Sequence, residues 1–346
     1  MAKKPLLAFT NRFLQSLMWL YPPSFRREYG DAMQSIYDDM CSDAVVRQGT
    51  LGLLFVLLKA VADTALSAIR EWMSAWEHTK IMTLERIDEY EIKQIIGEGS
   101  AATVYLAHDP LQDRDVVVKL LNPEWAQKSD GIANEAEAMQ IAGHKSIPTV
   151  YKTVSRDDAQ YLVMDYLQGQ TALDCLAAGD ILEKEVIAWG IAICDVLHHL
   201  HTLPQPYLYR DVKPGNIMVD GDSVSLIDFG IAVPYEIDGD YDKIGTIGYS
   251  APEQYVGRVD FRSEVYALGA TLYHLATGRD PRKEHSQFLF HFLPPRQLKP
   301  SLSAALEQVI LRATEHKPED RYQTIADMRA ALLACRLDDG PTERLS

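Results

Sequence analysis

The feature that most constrains this chain is one short stretch, residues 207–230, with the sequence YLYRDVKPGNIMVDGDSVSLIDFG. It places Asp211 two residues before Lys213 and five before Asn216, and a second acid, Asp228, follows twelve residues later. Carboxylate and amide oxygens are ligands that hard divalent cations prefer, whereas a carboxylate beside an ammonium group suits proton acceptance and anion stabilisation. These groups together have the spacing that a phosphoryl-transfer site requires.

The same stretch resembles the catalytic loop and the magnesium loop of protein kinases, in which H-or-Y-R-D-x-K-P-x-N precedes D-F-G. Here Tyr209, Arg210 and Asp211 begin the first motif, and Asp228 begins the second. The Lys two residues after the first Asp is typical of serine/threonine kinases, because tyrosine kinases usually place this basic residue further along the loop. The chain therefore resembles the bacterial Hanks-type (eukaryotic-like) serine/threonine protein kinases.

The resemblance implies a role for each of these side chains. Asp211 would accept the proton of the substrate hydroxyl, and Lys213 would stabilise the transferring phosphate. Asn216 and Asp228 would hold Mg2+, with Mn2+ as an alternative, on the phosphates of ATP. The implied activity is transfer of the γ-phosphate of ATP to Ser or Thr hydroxyls of protein substrates, in bacterial signalling.

A glycine-rich segment lies upstream, at residues 95–108. Gly97, Gly99 and Ala102 occupy the G-x-G-x-x-G positions, and Val104 follows them. Alone, this pattern also fits a flexible hairpin turn, or a dinucleotide-binding turn that opens a helix. The strand-like sequence on its C-terminal side favours the hairpin. By resemblance, the ATP-binding residues are Gly97, Glu98, Gly99, Ser100, Ala102, Val104, Val117, Lys119, Met164, Asp165, Leu167 and Met218.

Lys119 lies inside the apolar sequence VVVKLL, where an unpaired ammonium group is costly to bury. Without the other motifs, it would be interpreted as an edge-strand Lys that extends to solvent. The resemblance instead assigns it the α- and β-phosphates of ATP and a Glu partner on the next helix. We predict that this partner is Glu135, because Met139 would share its helical face, and Glu137 is the alternative. The predicted catalytic residues are thus Asp211, Lys213, Lys119 and Glu135.

Two downstream motifs extend the resemblance toward the C-terminus. The sequence GTIGYSAPEQ at 245–254 matches the end of a kinase activation segment, and Glu253 is expected to pair with Arg321. In SEVYALG at 263–269, Glu264 replaces the Asp that is usual in the central helix of the family. We expect this longer side chain to accept the same backbone hydrogen bonds.

The activation segment has no obvious phosphorylation site. Residues 231–245 contain no Ser or Thr, and their only hydroxyl groups belong to Tyr235 and Tyr241. Arg210 is typical of kinases that are switched by loop phosphorylation, and Thr246 stands where the family has a structural Thr near the catalytic Asp. We hypothesise that an acidic residue of the loop supplies Arg210 with its anion, so that phosphorylation is not required.

These motifs predict an α+β protein with the bilobal kinase fold. The predicted kinase domain, 88–336, comprises a small lobe of five antiparallel strands and one helix, 88–166, and a mainly helical large lobe, 171–336. The tail, 337–346, is expected to fray.

Residues 1–80 match no part of a kinase, and we predict that they form a small all-α domain. Their apolar residues recur at helical spacing in three runs, separated by Pro22, Pro23 and Gly49. This segment resembles a short helical prefix found before some bacterial permeases, which implies a docking role for a protein partner or a membrane surface. A bundle packed on itself or on the kinase domain is favoured over membrane binding.

Charge is unevenly distributed between these two parts. Residues 1–80 hold nine basic and eight acidic residues, net +1, whereas the remainder holds 25 and 41, net −16. This acidity argues against nucleic-acid binding, and it is compatible with basic protein substrates or with solubility alone.

The cysteines and the apolar runs indicate a cytoplasmic protein. The four cysteines lie far apart without a C-x-x-C pair, which is typical of reduced thiols rather than of disulfides or metal sites. No apolar run reaches the roughly 18 residues that span a bilayer. We therefore expect a cytoplasmic location, with peripheral association at the inner face of the membrane as the alternative.

A histidine cluster, His198, His199 and His201, lies at a predicted helix end. Such a cluster can hold a metal ion, but histidines at a helix end near a turn are more typically solvated or helix-capping. We predict no metal site there.

Two other functions fit parts of the pattern. A catalytically silent kinase-fold scaffold, which binds partners through the helical prefix, requires the loss of a catalytic residue, and none is lost. A small-molecule phosphotransferase of related fold does not need the activation segment or the Glu253–Arg321 pair, which shape a peptide-docking surface. Phosphorylation of protein Ser and Thr is therefore the leading prediction.

Overall fold

The computed structural model divides the chain into two compact units, Met1–Ile87 and Asp88–Ser346. In the first unit, the described elements are a 3-10 turn at Met18–Leu20 and a two-residue strand, β1 (Arg86–Ile87). The helices predicted for residues 1–80 lie outside the described residues. None of the helices in the described part of the chain is long and apolar enough to cross a membrane. The residues that the structure describes are 18–21, 85–99, 102–122, 131–156, 159–237, 239–283 and 292–338.

Five antiparallel strands begin the second unit, in the spatial order β2-β3-β4-β6-β5. They are β2 (Tyr90–Glu98), β3 (Ala102–Asp109), β4 (Arg114–Leu121), β5 (Val150–Arg156) and β6 (Ala159–Asp165). The central strand β4 is apolar on both faces, because Val116 and Val118 are fully buried on one face and Val117 is buried on the other. Lys119 therefore lies in the middle of an apolar sheet.

One helix, α1 (Gly131–Ala142), accompanies this sheet. Its buried residues include Ile132, Glu135, Ala136 and Met139, which have the i, i+3, i+4, i+7 spacing of one helical face. Glu135 thus lies on the stripe that faces the core, and a buried carboxylate there requires a partner.

The remainder of the second unit is mainly helical. Its helices are α2 (Ala172–Ala178), α3 (Glu183–His201), α4 (Phe261–Thr277), α5 (Pro295–Leu298), α6 (Ala304–Ala313) and α7 (Ile325–Asp338). Helix α4 is buried around its whole circumference from Ser263 to Ala276, because its sequence is largely apolar on every side. A sheet with one helix, followed by a mainly helical lobe, confirms the predicted α+β bilobal fold class.

Short strand pairs fold the motif-rich stretch around the site. They involve β7 (Gln170–Thr171), β8 (Tyr207–Leu208), β9 (Ile217–Asp220), β10 (Ser223–Leu226) and β11 (Val233–Pro234). β9 pairs with β10 and β7, and β8 pairs with β11. The carbonyl oxygen of Asn216 accepts the N–H of Ile227 at 3.1 Å, so the β9–β10 hairpin brings Asn216 beside the residue that precedes Asp228.

A fully buried guanidinium group connects the activation segment to the helical lobe. Nη1 and Nη2 of Arg321 lie 2.6 and 3.0 Å from the two carboxylate oxygens of Glu253, and the Arg321 side chain has no exposed surface. The guanidinium group also donates to the carbonyl oxygens of Glu315, Arg262 and His316. The ion pair expected from the sequence is therefore present, with additional acceptors for the remaining donors.

Replacing Arg321 with Met should destabilise the protein strongly, because the Glu253 carboxylate would keep only the Ser263 hydroxyl as a side-chain donor among the described residues and three carbonyl groups would lose the guanidinium donor. We expect the free energy of unfolding to fall by about 3–5 kcal/mol, the usual cost of breaking a buried pair. Arg329→Met is the matched control, since the pair of Arg329 with Asp195 is exposed and such pairs contribute about 1 kcal/mol or less. Chemical denaturation measures both losses, and equal values would contradict the role assigned to Arg321.

Two histidines join α1 to α3. The rings of His144 and His199 lie with their centroids 4.9 Å apart. His199 Nε2 donates to the carbonyl oxygen of Ala142 at 2.6 Å, and His144 Nδ1 accepts the N–H of Ser146 at 3.1 Å. Burial, and then the neighbouring His199, lowers the pKa of His144 below its ordinary value of 6.5. The hydrogen bond that Nδ1 accepts and the lowered pKa therefore both favour the neutral form of the His144 ring.

The lowered pKa of His144 predicts a loss of stability on acidification. Near pH 6.5 the unfolded chain binds a proton at His144 that the folded chain does not yet bind. The folded state is thus favoured above pH 6.5 and loses this advantage as the pH falls through the folded pKa.

His144→Asn tests this prediction, because Asn keeps an acceptor for the N–H of Ser146 but does not titrate. The free energy of unfolding of this variant should depend less on pH than that of the wild type, between about pH 7 and pH 5. His198→Asn, at an exposed position of α3, should follow the wild type. If both variants keep the wild-type slope, the assignment to His144 is wrong.

Candidate active site

The backbone immediately before Asp211 adopts a strained conformation. Arg210 has φ +71°, in the left-handed region, which costs a non-glycine residue about 1–3 kcal/mol. Oε1 of Glu264 accepts the N–H groups of Tyr209 and Arg210 at 2.5 and 2.9 Å, and these bonds offset the strain. Glu264 thus makes the backbone contacts expected of it, and its other oxygen accepts a hydrogen bond from Nε2 of His201.

Three donors converge on the carboxylate of Asp211. Its Oδ2 accepts from Lys213 Nζ at 2.7 Å and from Asn216 Nδ2 at 2.8 Å, and its Oδ1 accepts from Thr246 Oγ1 at 2.7 Å. Lys213 Nζ also donates to Thr246 Oγ1 at 3.0 Å. The side chains of Asp211 and Lys213 remain 12% and 27% exposed. The carboxylate is therefore oriented by its own loop and by the activation segment, and it is still accessible.

Lys119 is the centre of an ion cluster that joins three elements. Its Nζ lies 2.7 and 2.8 Å from the carboxylate oxygens of Glu135 on α1, and 2.8 Å from Oδ1 of Asp228. Burial alone would lower the pKa of Lys119, but the carboxylates of Glu135 and Asp228 outweigh burial and raise it. Against the opposing effect of burial, the same ammonium group lowers the pKa of Asp228. Glu137, the alternative partner of Lys119, is exposed.

Asn216 and Asp228 supply oxygen atoms that suit a divalent cation. Asn216 Nδ2 donates to the backbone oxygen and to Oδ2 of Asp211, which leaves its amide oxygen as the atom that could ligate. The side chain of Asp228 is 43% exposed. Among the described residues, no three His, Cys, Asp or Glu side chains form a metal site by themselves. One carboxylate and one amide oxygen, completed by phosphate oxygens and water, fit the preferences of Mg2+.

Several of the residues assigned to ATP lie on strands of two different sheets. Val117 lies opposite Met164 in the β4–β6 pair, and Val104 lies opposite Lys119 in the β3–β4 pair. Met218 lies on β9, where that strand pairs with β7. Strand register thus brings the side chains of Val117 and Lys119 to the same face of β4, since they are two residues apart.

The segment after β6 continues from Asp165 to Leu167. The side chain of Asp165 accepts the N–H of Thr149 at 2.7 Å and the hydroxyl of Tyr151. Its N–H donates to the carbonyl oxygen of Thr149 at 3.0 Å. Because the Asp165 carboxylate makes these two contacts, it is less suited than the backbone of this segment to contact a base.

Gly97 and Gly99 lie where β2 turns toward β3. The N–H of Gly99 donates to the carbonyl oxygen of Ala102 at 3.0 Å, and Asn122 Nδ2 donates to that of Gly99 at 3.1 Å. A Cβ at Gly97 or Gly99 would meet protein atoms beyond its chain neighbours no closer than 3.5 and 3.6 Å. Packing within the protein therefore does not require these glycines, whereas close approach of a phosphate would. Ser100 lies outside the described residues.

Tyr209 and Phe229 join the catalytic loop to the D-F-G segment. Both side chains are buried, and their rings meet edge to face with centroids 5.0 Å apart. This geometry is a favourable aromatic contact, so Tyr209 contributes packing.

The activation segment contacts Arg210 through a backbone carbonyl. Nη2 of Arg210 donates to the carbonyl oxygen of Asp242 at 2.5 Å. Burial lowers the pKa of Arg210, and the charge of Asp242 opposes this effect at longer range. The guanidinium group thus binds the backbone of Asp242, and the charge of the same residue also acts on it, so the hypothesis that an acidic loop residue supplies the anion of Arg210 stays a prediction. Asp238, another acidic residue of this loop, lies outside the described residues.

The histidine cluster is only partly solvated. His198 is exposed, as expected, but His199 binds the Ala142 carbonyl and the His201 side chain is 7% exposed. His201 contacts Glu264, and so supports the residue that holds the catalytic loop. The prediction allowed solvated or helix-capping histidines, and His199 binds the carbonyl oxygen of Ala142, the last residue of α1. His201 is instead buried against Glu264, because α3 packs there against a residue that is distant in sequence.

Two side-chain amides contact the site without a signal that we recognised in the sequence. Asn122 binds the glycine-rich turn, and Gln254 donates to carbonyl oxygens of the catalytic loop and of the activation segment. The position of Gln254, directly after the A-P-E motif, was the only available clue.

Comparison with known proteins agrees with this geometry. The family model described as the protein kinase domain matches residues 90–346. The chain is 33% identical over 257 residues to serine/threonine-protein kinase PrkC of Bacillus subtilis, covering 70% of this chain and 39% of PrkC. It is 34% identical over 276 residues to serine/threonine-protein kinase PknB of Mycobacterium tuberculosis, covering 73% of this chain and 44% of PknB.

Among solved structures, the PknI kinase domain of Mycobacterium tuberculosis is similar, with a TM-score of 0.58 and 27% identity. The similarity covers 72% of this chain and 96% of that domain. The chain spans less than half the length of the two curated relatives. The family match, the fold and the ordered motifs agree, and the chain belongs to the protein kinase family, with bacterial serine/threonine kinases among its relatives.

Proposed function

We propose that this chain transfers the γ-phosphate of ATP to Ser or Thr hydroxyls of protein substrates. The observation that carries the proposal is the Asp211 carboxylate, which Lys213, Asn216 and Thr246 orient while it stays accessible. A carboxylate held in this way is suited to accept the proton of an incoming hydroxyl. Membership of the protein kinase family, and relatives named as serine/threonine kinases, support the same activity.

In the proposed reaction, Asp211 accepts first a hydrogen bond and then the proton of the acceptor hydroxyl. Lys213, whose ammonium group is beside Asp211, stabilises the negative charge of the transferring phosphate. The phosphoryl group passes through a loose transition state, so positioning and charge neutralisation supply most of the catalysis. Thr246 keeps the carboxylate in its orientation.

Nucleotide binding is assigned to the ion cluster and the sheet. Lys119 binds the α- and β-phosphates, and Glu135 orients it. Asn216 and Asp228 would hold Mg2+, or Mn2+ in its place, which would supply charge neutralisation for the phosphate oxygens. The remaining proposed ATP contacts are Gly97, Glu98, Gly99, Ser100, Ala102, Val104, Val117, Met164, Asp165, Leu167 and Met218.

The proposed kinase domain is 88–336, and the second compact unit, which begins at Asp88, supports its N-terminal boundary. Residues 1–80 are proposed to dock the enzyme to a protein partner or to a membrane surface. Because the reaction consumes ATP, the proposed location is the cytoplasm, peripheral to the inner face of the membrane where the prefix docks there.

A catalytically silent scaffold is less well supported. Such a protein would tolerate loss or misplacement of catalytic groups, whereas Lys119, Glu135, Asp211, Asn216 and Asp228 are all present with charged or hydrogen-bonded partners. Burying the charge of Lys119 costs free energy unless carboxylates compensate for it, as Glu135 and Asp228 do. An ammonium group held in this way is suited to bind phosphate.

Asp211→Asn should abolish most phosphate transfer while nucleotide binding is kept. The amide has nearly the same shape but cannot take the proton, and loss of a positioned base typically costs about 10²–10⁴-fold in rate. The measurement is transfer from γ-labelled ATP with Mg2+ to a basic Ser- and Thr-containing protein, with mass spectrometry to identify the modified residues. Asp195→Asn, at an exposed ion pair of α3, is the matched control.

Lys119→Ala in the same assay should weaken ATP binding and transfer together, whereas Lys93→Ala, at an exposed ion pair of the same sheet, should not. An inactive wild type that still binds ATP would favour the scaffold, and transfer by Asp211→Asn at the wild-type rate would contradict the proposed base.

The enzyme should remain active without phosphorylation of its activation segment. Arg210 already donates to the carbonyl oxygen of Asp242, and Thr246 already contacts Asp211, so no phosphate is needed to order these groups. Protein treated with a broad-specificity phosphatase, and shown by mass spectrometry to be unmodified, should keep a kcat within about twofold of the untreated protein. Inactivity of the dephosphorylated protein would overturn this expectation.

A further inference from the structure

The side-chain amide of Gln254 connects two segments that carry catalytic groups. Gln254 lies in the 3-10 helix Pro252–Val256 and is 1% exposed. Its Nε2 donates to the carbonyl oxygen of Arg210 at 3.0 Å and to that of Ile244 at 2.8 Å. Two carbonyl groups from different segments, of which that of Arg210 is buried, thus share one amide nitrogen as donor.

Both carbonyl groups lie next to residues of the active site. The carbonyl of Arg210 belongs to the peptide that enters Asp211, and Ile244 precedes Thr246 by two residues. Thr246 Oγ1 in turn donates to Asp211 Oδ1 at 2.7 Å. The catalytic loop and the activation segment are therefore connected twice. The Thr246–Asp211 hydrogen bond connects their side chains, and the amide of Gln254 connects their backbones.

Gln254 also completes the support of the strained residue before Asp211. Arg210 has φ +71°, and its N–H is held by Oε1 of Glu264 at 2.9 Å. Because Gln254 donates to the carbonyl oxygen of Arg210, both the N–H and the C=O of this residue are hydrogen-bonded to side chains. A backbone conformation of this kind persists only where the surrounding structure fixes it.

The local sequence leaves space for this amide and fixes its backbone. A Cβ at Gly245 would lie 2.6 Å from Gln254 Nε2 and 2.2 Å from Ser250 Oγ, so a side chain there would displace both groups. The N–H of Gln254 donates to the carbonyl oxygen of Ala251 at 3.0 Å, and Gly257 ends the 3-10 helix in the left-handed conformation.

We propose that Gln254 is a positioning residue for phosphate transfer. It keeps Asp211 and Thr246 in the relative positions that proton acceptance requires. The proposal rests on the kinase activity proposed above. The two hydrogen bonds of the Gln254 amide go to the catalytic loop and to the activation segment rather than to a residue assigned to ATP, so we expect it to act on the transfer step rather than on nucleotide binding.

Gln254→Met tests this role, because Met fills a similar volume and removes both hydrogen-bond donors. We expect kcat to fall on the order of 10²-fold, as for a small misplacement of a catalytic group, while KM for ATP stays within about twofold. Gln205→Met is the matched control, since the Gln205 amide also binds a carbonyl of the activation segment, that of Tyr235, at 3.0 Å but does not reach Arg210.

A second variant, Gln254→Glu, keeps the proposal testable if the Met variant folds poorly. An ionised carboxylate cannot donate to the two carbonyl groups, whereas its protonated form can donate to one. The ratio of its kcat to that of the wild type should therefore rise as the pH falls from roughly 8 to 6, where a buried carboxyl group with a raised pKa gains its proton.

The wild-type enzyme tests the kinase activity, and the Gln254 variants test the role of this side chain. An inactive wild type would overturn the kinase activity itself. An active wild type would overturn the role of Gln254 if Gln254→Met keeps its kcat, if Gln205→Met loses as much, or if the Gln254→Glu ratio is independent of pH.

Discussion

The ammonium group of Lys119 is the charge on which the arrangement of the site depends. A lysine in the middle of an apolar sheet is tolerated only when carboxylates compensate for its lost hydration, and Glu135 and Asp228 do so at 2.7 and 2.8 Å. These carboxylates come from α1 and from the segment after β10. Charge pairing therefore holds a strand, a helix and a loop in one geometry, and the same ammonium group is the proposed ligand of the ATP phosphates.

A second constraint is the hydrogen bonding of the peptide groups that precede Asp211. Arg210 is strained, and its backbone is held by Glu264 from α4 and by Gln254 from the activation segment. Helix α4 can serve as this support because it is buried on all sides and therefore cannot easily shift. The backbone that leads into Asp211 is thus supported by side chains other than those that hydrogen-bond to its carboxylate.

The predictions from sequence were most accurate for features that depend on residues a few positions apart in the chain. Helical periodicity favoured Glu135 over Glu137, and the structure buries the first and exposes the second, because only the first lies on the apolar stripe of α1. For Arg210, the acidic composition of the loop suggested an anionic partner. Composition could not show which atom of Asp242 would face the guanidinium group, since that depends on the path of the folded backbone.

By itself, the sequence determined the order of the motifs, the fold class and the local geometry within single loops and helices, where spacing along the chain fixes spacing in space. Tertiary structure alone decided the contacts between His201 and Glu264, and between Gln254 and the carbonyl of Arg210. The partners in these pairs are 63 and 44 residues apart. Hydrogen bonds are directional and act over about 3 Å, so such contacts exist only after packing has brought distant segments together.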